Sequence, residues 1–189
     1  MRSPFWKVLL ENNQLILHIL YVFFIYILYK HEIHSSIKQL NFKKLLTYSL
    51  LPAIVVLLAN FFFIFLFSNN TMIIETYPLN IIFIMNTLIF GPIAEELIYR
   101  FTFINNSWSL KIKVPLILLS SLIFTYSHRF AVEGNLFFLI QFFIFGVGLM
   151  LMYIKTNNIL YCICMHSIYN GLVLLLPTLI VSPLIPVNI

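Results

Sequence analysis

The chain has 189 residues, 61% of them hydrophobic and only 9% charged, with a net charge of +5. A soluble domain carries roughly a quarter charged residues, and one core of this size cannot hide so much apolar surface. The composition therefore excludes a water-soluble globule and implies an all-α, polytopic membrane bundle forming one domain over residues 1–189. In such a protein a positive balance reports loop orientation rather than a nucleic-acid partner, and no basic cluster interleaved with aromatics lies outside the apolar runs.

Six apolar runs occur in chain order: 14–29, 45–67, 79–104, 114–128, 136–154 and 159–180. Each is near the ~20 residues that cross the hydrocarbon of a bilayer, although the fourth is short enough to end below the far surface. The first comes after Arg2 and Lys7, ends in YKHEIH and has no small-residue cleavage site. It reads as a retained helix, not a signal peptide. Polar segments such as KHEIHSSIKQLNFKK, SNNTMIIETYP, NNSWSLKIK, RFAVEGN and KTNN separate the runs. The last helix is expected to break near Pro177. Cys162 and Cys164 sit two apart in the sixth run, on opposite sides of a helix, so they read as packing residues rather than a disulfide or a metal site.

Lysine and arginine are distributed unevenly. Lys30, Lys38, Lys43, Lys44, Arg100, Lys111, Lys113 and Lys155 lie in or beside loops 1, 3 and 5, against Arg2, Lys7 and Arg129 on the other side. The positive-inside rule puts loops 1, 3 and 5 in the cytoplasm and both termini outside.

Ionisable groups inside apolar helices are costly and mark functional sites. Here they are Glu95, Glu96 and Arg100 in the third run, His128 in the fourth and His166 in the sixth. Glu96 and Arg100 are spaced i,i+4 and can pair on one face; Glu95 points about 100° away and is free for chemistry. Phe124 and His128 are also i,i+4, as are His166 and Asn170. Measured from the loop 1, 3 and 5 side at about 1.5 Å per residue, Glu95, His128, His166 and Asn170 fall at roughly 14, 21, 10 and 17 Å. That agreement predicts one buried polar site, with one or two waters able to connect Glu95 to His128. His18 stands alone and reads as a packing or interfacial residue. Asn60, Asn86 and Gln141 read as interhelical glue, and Gly146 and Gly148 as points of close helix approach. Gly91-Pro92 is expected to kink the third helix and free backbone carbonyls near the site.

The patterns EELIYR (95–100), FTYSH (124–128) and HSIYN (166–170) resemble EExxxR, FxxxH and HxxxN of the CPBP family, the CAAX protease and bacteriocin-processing (Abi) enzymes related to the type II CAAX prenyl endopeptidase. The likeness covers about residues 79–176. It implies an intramembrane endopeptidase whose substrate is a peptide or a membrane-associated protein. Glu95 would activate water with His128 as its partner, His166 and Asn170 would stabilise the oxyanion, and Glu96 and Arg100 would hold the site together. The resemblance also leaves a zinc site open, with Glu95, His128 and His166 as ligands; the balance leans to no metal. Phe101 stands where the family commonly has glycine, which bears on packing behind Arg100. That departure keeps an alternative: a non-catalytic bacteriocin self-immunity protein or membrane scaffold. A proton-coupled transporter is a third reading, weakened by the lack of an internal repeat. Richness in Ile, Asn, Phe and Lys points to an AT-rich bacterium and its cell membrane. Oligomeric state is not legible.

Overall fold

The computed structural model describes residues 4–67, 80–105, 107–129 and 139–181. Among them the chain forms six helices and no strand. Helix α1 is Pro4–Lys38. Helix α2 runs through Phe42–Leu45, Leu46–Leu50 and Leu51–Phe67, its middle piece a π-helical turn. Helix α3 is built from four pieces, Ile81–Met85, Asn86–Phe90, Gly91–Glu96 and Leu97–Phe101, the second and fourth π-helical. Helices α4 (Leu110–Ser127), α5 (Leu139–Thr156) and α6 (Ile159–Val181) complete the bundle. Five helices are long and apolar enough to cross a membrane, and Ile159–Leu175 of α6 is a further apolar helix.

Polar side chains close the helix ends, as expected where the apolar runs stop. Asn41 Oδ1 accepts from the backbone N–H groups of Lys43 and Lys44 at the start of α2. Asn80 Oδ1 accepts from Phe83 N at the start of α3, and Asn158 Oδ1 from Leu160 N at the start of α6. Each side chain takes up N–H groups that a first helical turn leaves without partners. Asn157 adopts φ +49°, the left-handed conformation asparagine tolerates, which reverses the chain between α5 and α6.

Three expectations about helix ends are corrected. The first apolar run stops at Tyr29, yet the helix bends there (φ −124°, ψ 29°) and resumes to Lys38, so the polar stretch after it is helical. The last helix does not break at Pro177 but continues to Val181; proline's fixed φ is helical, and only one backbone hydrogen bond is lost. The fourth helix begins at Leu110, earlier than its apolar run. Helix α5 is described from Leu139, so the expected start at 136 lies outside the described residues, as do the breaks at 68–79 and 130–138 and the tail from 182.

Helix α6 is the centre of the bundle and touches α1, α2, α3 and α5; α4 packs on α5 and on the second π turn of α3. The core gathers Ile25, Ala53, Leu97, Phe124, Phe145, Leu149, Met150 and Met165. Outward faces carry large apolar groups such as Phe23, Phe65 and Leu119, as a lipid-facing surface requires. Cys162 and Cys164 are both free, and Cys162 Sγ donates to the Leu149 carbonyl.

Candidate active site

The third helix positions the two glutamates by departing from α-geometry on either side of them. A π turn takes up an extra residue, so it rotates the remainder of the helix by about 100° relative to an uninterrupted α-helix. In the first π turn the Gly91 N–H donates to the Asn86 carbonyl. By the same register the Thr87 carbonyl faces residue 92, which is proline and has no N–H. The Asn170 amide fills that place, its Nδ2 donating to Thr87 O at 2.9 Å. Gly91-Pro92 therefore frees a carbonyl as expected, and a side chain of the site takes it up. In the second π turn Ser120 Oγ donates to the Tyr99 carbonyl, which fastens α4 to α3.

Glu96 and Arg100 are both fully buried, with Oε1 3.2 Å from Nη1. The same Oε1 lies 2.8 Å from His166 Nδ1. Arg100 Nη2 donates to the Gly146 carbonyl at 3.3 Å, and its guanidinium lies over the Phe124 ring, 4.6 Å from the centroid. The Phe101 ring meets Tyr29 edge-on at 5.0 Å, at the bend in α1.

Glu95 is turned away from that pair, as the ~100° step around the helix requires. Its Oε2 lies 3.7 Å from His128 Nε2 and 3.9 Å from His166 Nε2. These separations are too long for hydrogen bonds, and Glu95 Oε2 is a buried atom with none. His128 comes directly after the last residue of α4, where helix carbonyls lose their partners; its Nδ1 turns back to the Phe124 carbonyl at 2.8 Å. Its ring stacks on Phe142 with centroids 4.7 Å apart. Phe124 is fully buried and touches Arg100, His128 and His166 at once. Five of the six residues singled out in the sequence, Glu95, Glu96, Arg100, His128 and His166, thus meet around one point, and Asn170 holds the Thr87 carbonyl of the same third helix.

Depth arithmetic is a poor guide to this convergence. From the observed helix ends, Glu95 lies about 9 Å above Phe101 and His128 about 27 Å above Leu110. They meet because α3 stops short and the chain runs on through 102–109 before α4 begins. The Ser120–Tyr99 bond records the offset. The space below the end of α3 is a separate cavity of about 830 Å³, lined among others by Tyr29, Glu32, Phe101, Trp108 and Tyr153 and by none of the site residues.

Several supporting groups carried no sequence signal. They are the Thr87 and Phe124 carbonyls, the Phe142 ring and Tyr169, which accepts from Asn60 Nδ2 at 2.7 Å and stacks on Phe145. A carbonyl is invisible in sequence, and one more aromatic among 20 phenylalanines and 10 tyrosines does not stand out. His18 is not alone: its Nδ1 lies 2.8 Å from Asn86 Oδ1 on the first π turn.

Residues 77–172 match the type II CAAX prenyl endopeptidase Rce1-like family, just over half of the chain. The chain belongs to the Rce1-like family. All six site residues of this Rce1-like chain fall inside the matched span. No curated protein and no solved structure matches the chain. Membership makes it an integral membrane protein of a protease family, with peptide or protein as the class of substrate and the bilayer as its setting.

Proposed function

We propose that the chain is an intramembrane endopeptidase in which Glu95 activates a water for attack on a peptide carbonyl. The observation that carries this reading is the position of Glu95 Oε2, buried, without a hydrogen bond, and 3.7 Å from His128 Nε2. The Phe124 carbonyl beside His128 Nδ1 can only accept, so that nitrogen holds the ring proton and Nε2 presents a lone pair. Glu96 Oε1 likewise takes the Nδ1 proton of His166. The Glu95 carboxylate and the His128 lone pair, facing one another, cannot satisfy each other. One water between Glu95 and His128 can donate a proton to each at about 2.8 Å, and its oxygen is then held ready for a substrate carbonyl.

As the water oxygen bonds to the carbonyl carbon, Glu95 takes its proton. The charge that develops on the carbonyl oxygen needs donors. Asn170 keeps one amide proton beyond the one given to Thr87. His166 donates from Nε2 in its imidazolium form, which the Glu96 carboxylate against Nδ1 balances. Glu95 then passes the proton it took to the leaving nitrogen, the oxyanion reforms the C=O bond, and the C–N bond breaks to release the amine.

Glu95, His128 and His166 are also the donors a zinc ion would use. Ligands around tetrahedral zinc stand roughly 3.4 Å apart; the carboxylate lies 3.7 and 3.9 Å from the imidazoles. Among the described residues no three His, Cys, Asp or Glu are grouped to hold a metal ion. If a metal ion bound here, these three residues would hold it and it would polarise the attacking water; no step is routed through one.

Replacing Glu95 by Gln keeps shape and removes the base. Cleavage of a reporter peptide by the purified protein should fall by about 10²-fold or more, with the protein accumulating normally. Wild-type cleavage by Glu95→Gln would end the reading and leave a scaffold or immunity role. Dialysis against a strong zinc chelator should leave the wild-type rate unchanged.

A further inference from the structure

Helix α1 carries none of the three motifs and lies outside the matched family span. It nevertheless places a half-buried imidazole on the segment that aims the glutamates. His18 Nδ1 donates to Asn86 Oδ1 at 2.8 Å. Asn86 is the first residue of the π turn, and its backbone carbonyl accepts the Gly91 N–H, the hydrogen bond that defines the turn. The turn is tight: a Cβ added at Gly91 would lie 2.6 Å from the Asn86 oxygen and 3.8 Å from His18 Cε1. The next carbonyl, Thr87, is held by Asn170 of α6. Two consecutive residues of one π turn are thus gripped by side chains of two other helices.

The grip matters because π turns are not the ground state of a helix. Collapse to α-geometry would expel one residue and turn Gly91–Glu96 by about 100°. A rotation even a fraction as large would carry Glu95 Oε2 out of the position it holds between the two imidazoles. Asn170 alone cannot fix the azimuth, since it grips one atom. The His18–Asn86 bond adds the second point, one residue earlier.

We infer that His18 is a positioning residue of the active site: acting through Asn86, it holds the first π turn of α3 in the register that aims Glu95 at His128. This rests on the reading of Glu95 as the base. His18 touches no reacting atom. Its job is to keep the carboxylate where a water can bridge it to the imidazole, and displacements near 1 Å at a reacting group cost up to about 10²-fold in rate. The role is distinct from interhelical glue in one respect. Loss of glue shows in abundance, whereas loss of a positioning bond shows in kcat.

Two measurements separate these. In the first, kcat and KM for a reporter peptide are compared for wild type, His18→Leu and His18→Gln, with Glu95→Gln as the reference for lost base. His18→Leu should accumulate normally, keep KM and lose kcat by about 10- to 100-fold. His18→Gln, whose amide can still donate to Asn86, should recover most of that loss. Asn86→Ala should match His18→Leu, and combining the two should cost no more than either alone. Unchanged kcat in His18→Leu, or equal losses in the Leu and Gln variants, overturns the inference.

The second measurement does not depend on catalysis. Cysteines replace Glu95 and His128 in a chain whose native Cys162 and Cys164 are serine, and a short bifunctional thiol reagent bridges them. With His18 present, bridging should be fast. With leucine at 18 it should slow by about tenfold, in line with a displaced segment. Equal bridging rates overturn the inference. An active Glu95→Gln would remove the base reading, and the bridging result would still decide whether His18 sets the position of residue 95.

Discussion

Glu95 and Glu96 are neighbours in sequence with opposite surroundings. Glu96 is sealed between Arg100 and His166 and fully buried, whereas Glu95 is about one-fifth exposed and has no hydrogen bond to its buried oxygen. The difference comes from helical geometry: i,i+4 puts Glu96 on the arginine, and a step of about 100° takes Glu95 off it. Their variants should differ accordingly. Glu96→Gln leaves a guanidinium in the membrane interior without its counter-ion, which costs roughly 3–5 kcal/mol. Its cellular level and unfolding temperature should fall along with activity, measured beside Glu95→Gln, which should lose activity alone. If both accumulate normally and only Glu96→Gln is inactive, the two roles are exchanged. Phe124 shows what residue-level reading undervalues. Classed from sequence as packing, it is packing against Arg100, His128 and His166 together, and its carbonyl sets the His128 tautomer.

Helices carry the next layer. Helix α5 comes close to α4 at Gly146, where an added Cβ would stand 3.2 Å from Phe124 Cδ1 and 3.4 Å from Ser121 Cα. The same glycine offers its carbonyl to Arg100. Gly148, read from sequence as its equal, would meet Val56 and Met165 at 3.7 and 3.8 Å, ordinary contact distances. Gly146→Ala should therefore push Phe124 and destabilise by about 1–3 kcal/mol. Gly148→Ala should be neutral or gain up to about 1 kcal/mol from helix propensity. Thermal unfolding in detergent checks the pair; equal shifts would contradict the packing. Helix α3 shows the same contrast between pattern and structure. Its apolar run and its Gly-Pro pair are plain in the sequence. Its two π turns are not, because they are stabilised by His18, Asn170 and Ser120 on three other helices.

For the whole molecule, the charge count predicts that loops 1, 3 and 5 are cytoplasmic. Single cysteines at Ser109 and Asn135, in a chain otherwise free of cysteine, should react oppositely with a membrane-impermeant thiol reagent. Position 135 should label in intact cells and position 109 only after lysis. Labelling of position 109 in intact cells would reverse the orientation. The large cavity below the end of α3 lies on the loop 1, 3 and 5 side, and the His128 end of the site on the other.

The sequence by itself determined the membrane setting, the helical class, the six runs and the identity of the polar residues that converge. These depend on composition and on local spacing, and water and lipid sort them before any helix meets another. It also determined that Glu96 and Arg100 pair, since i,i+4 neighbours are fixed within one helix. Only the tertiary structure decided which way Glu95 faces, that Asn170 replaces the N–H missing at Pro92, and that His18 reaches Asn86. It also set the offset between α3 and α4, which brings His128 level with Glu95 despite unequal distances from their helix ends. Each of these depends on contacts between residues 21 to 83 positions apart. Such contacts arise from how helices slide and rotate against one another, and no local period encodes that.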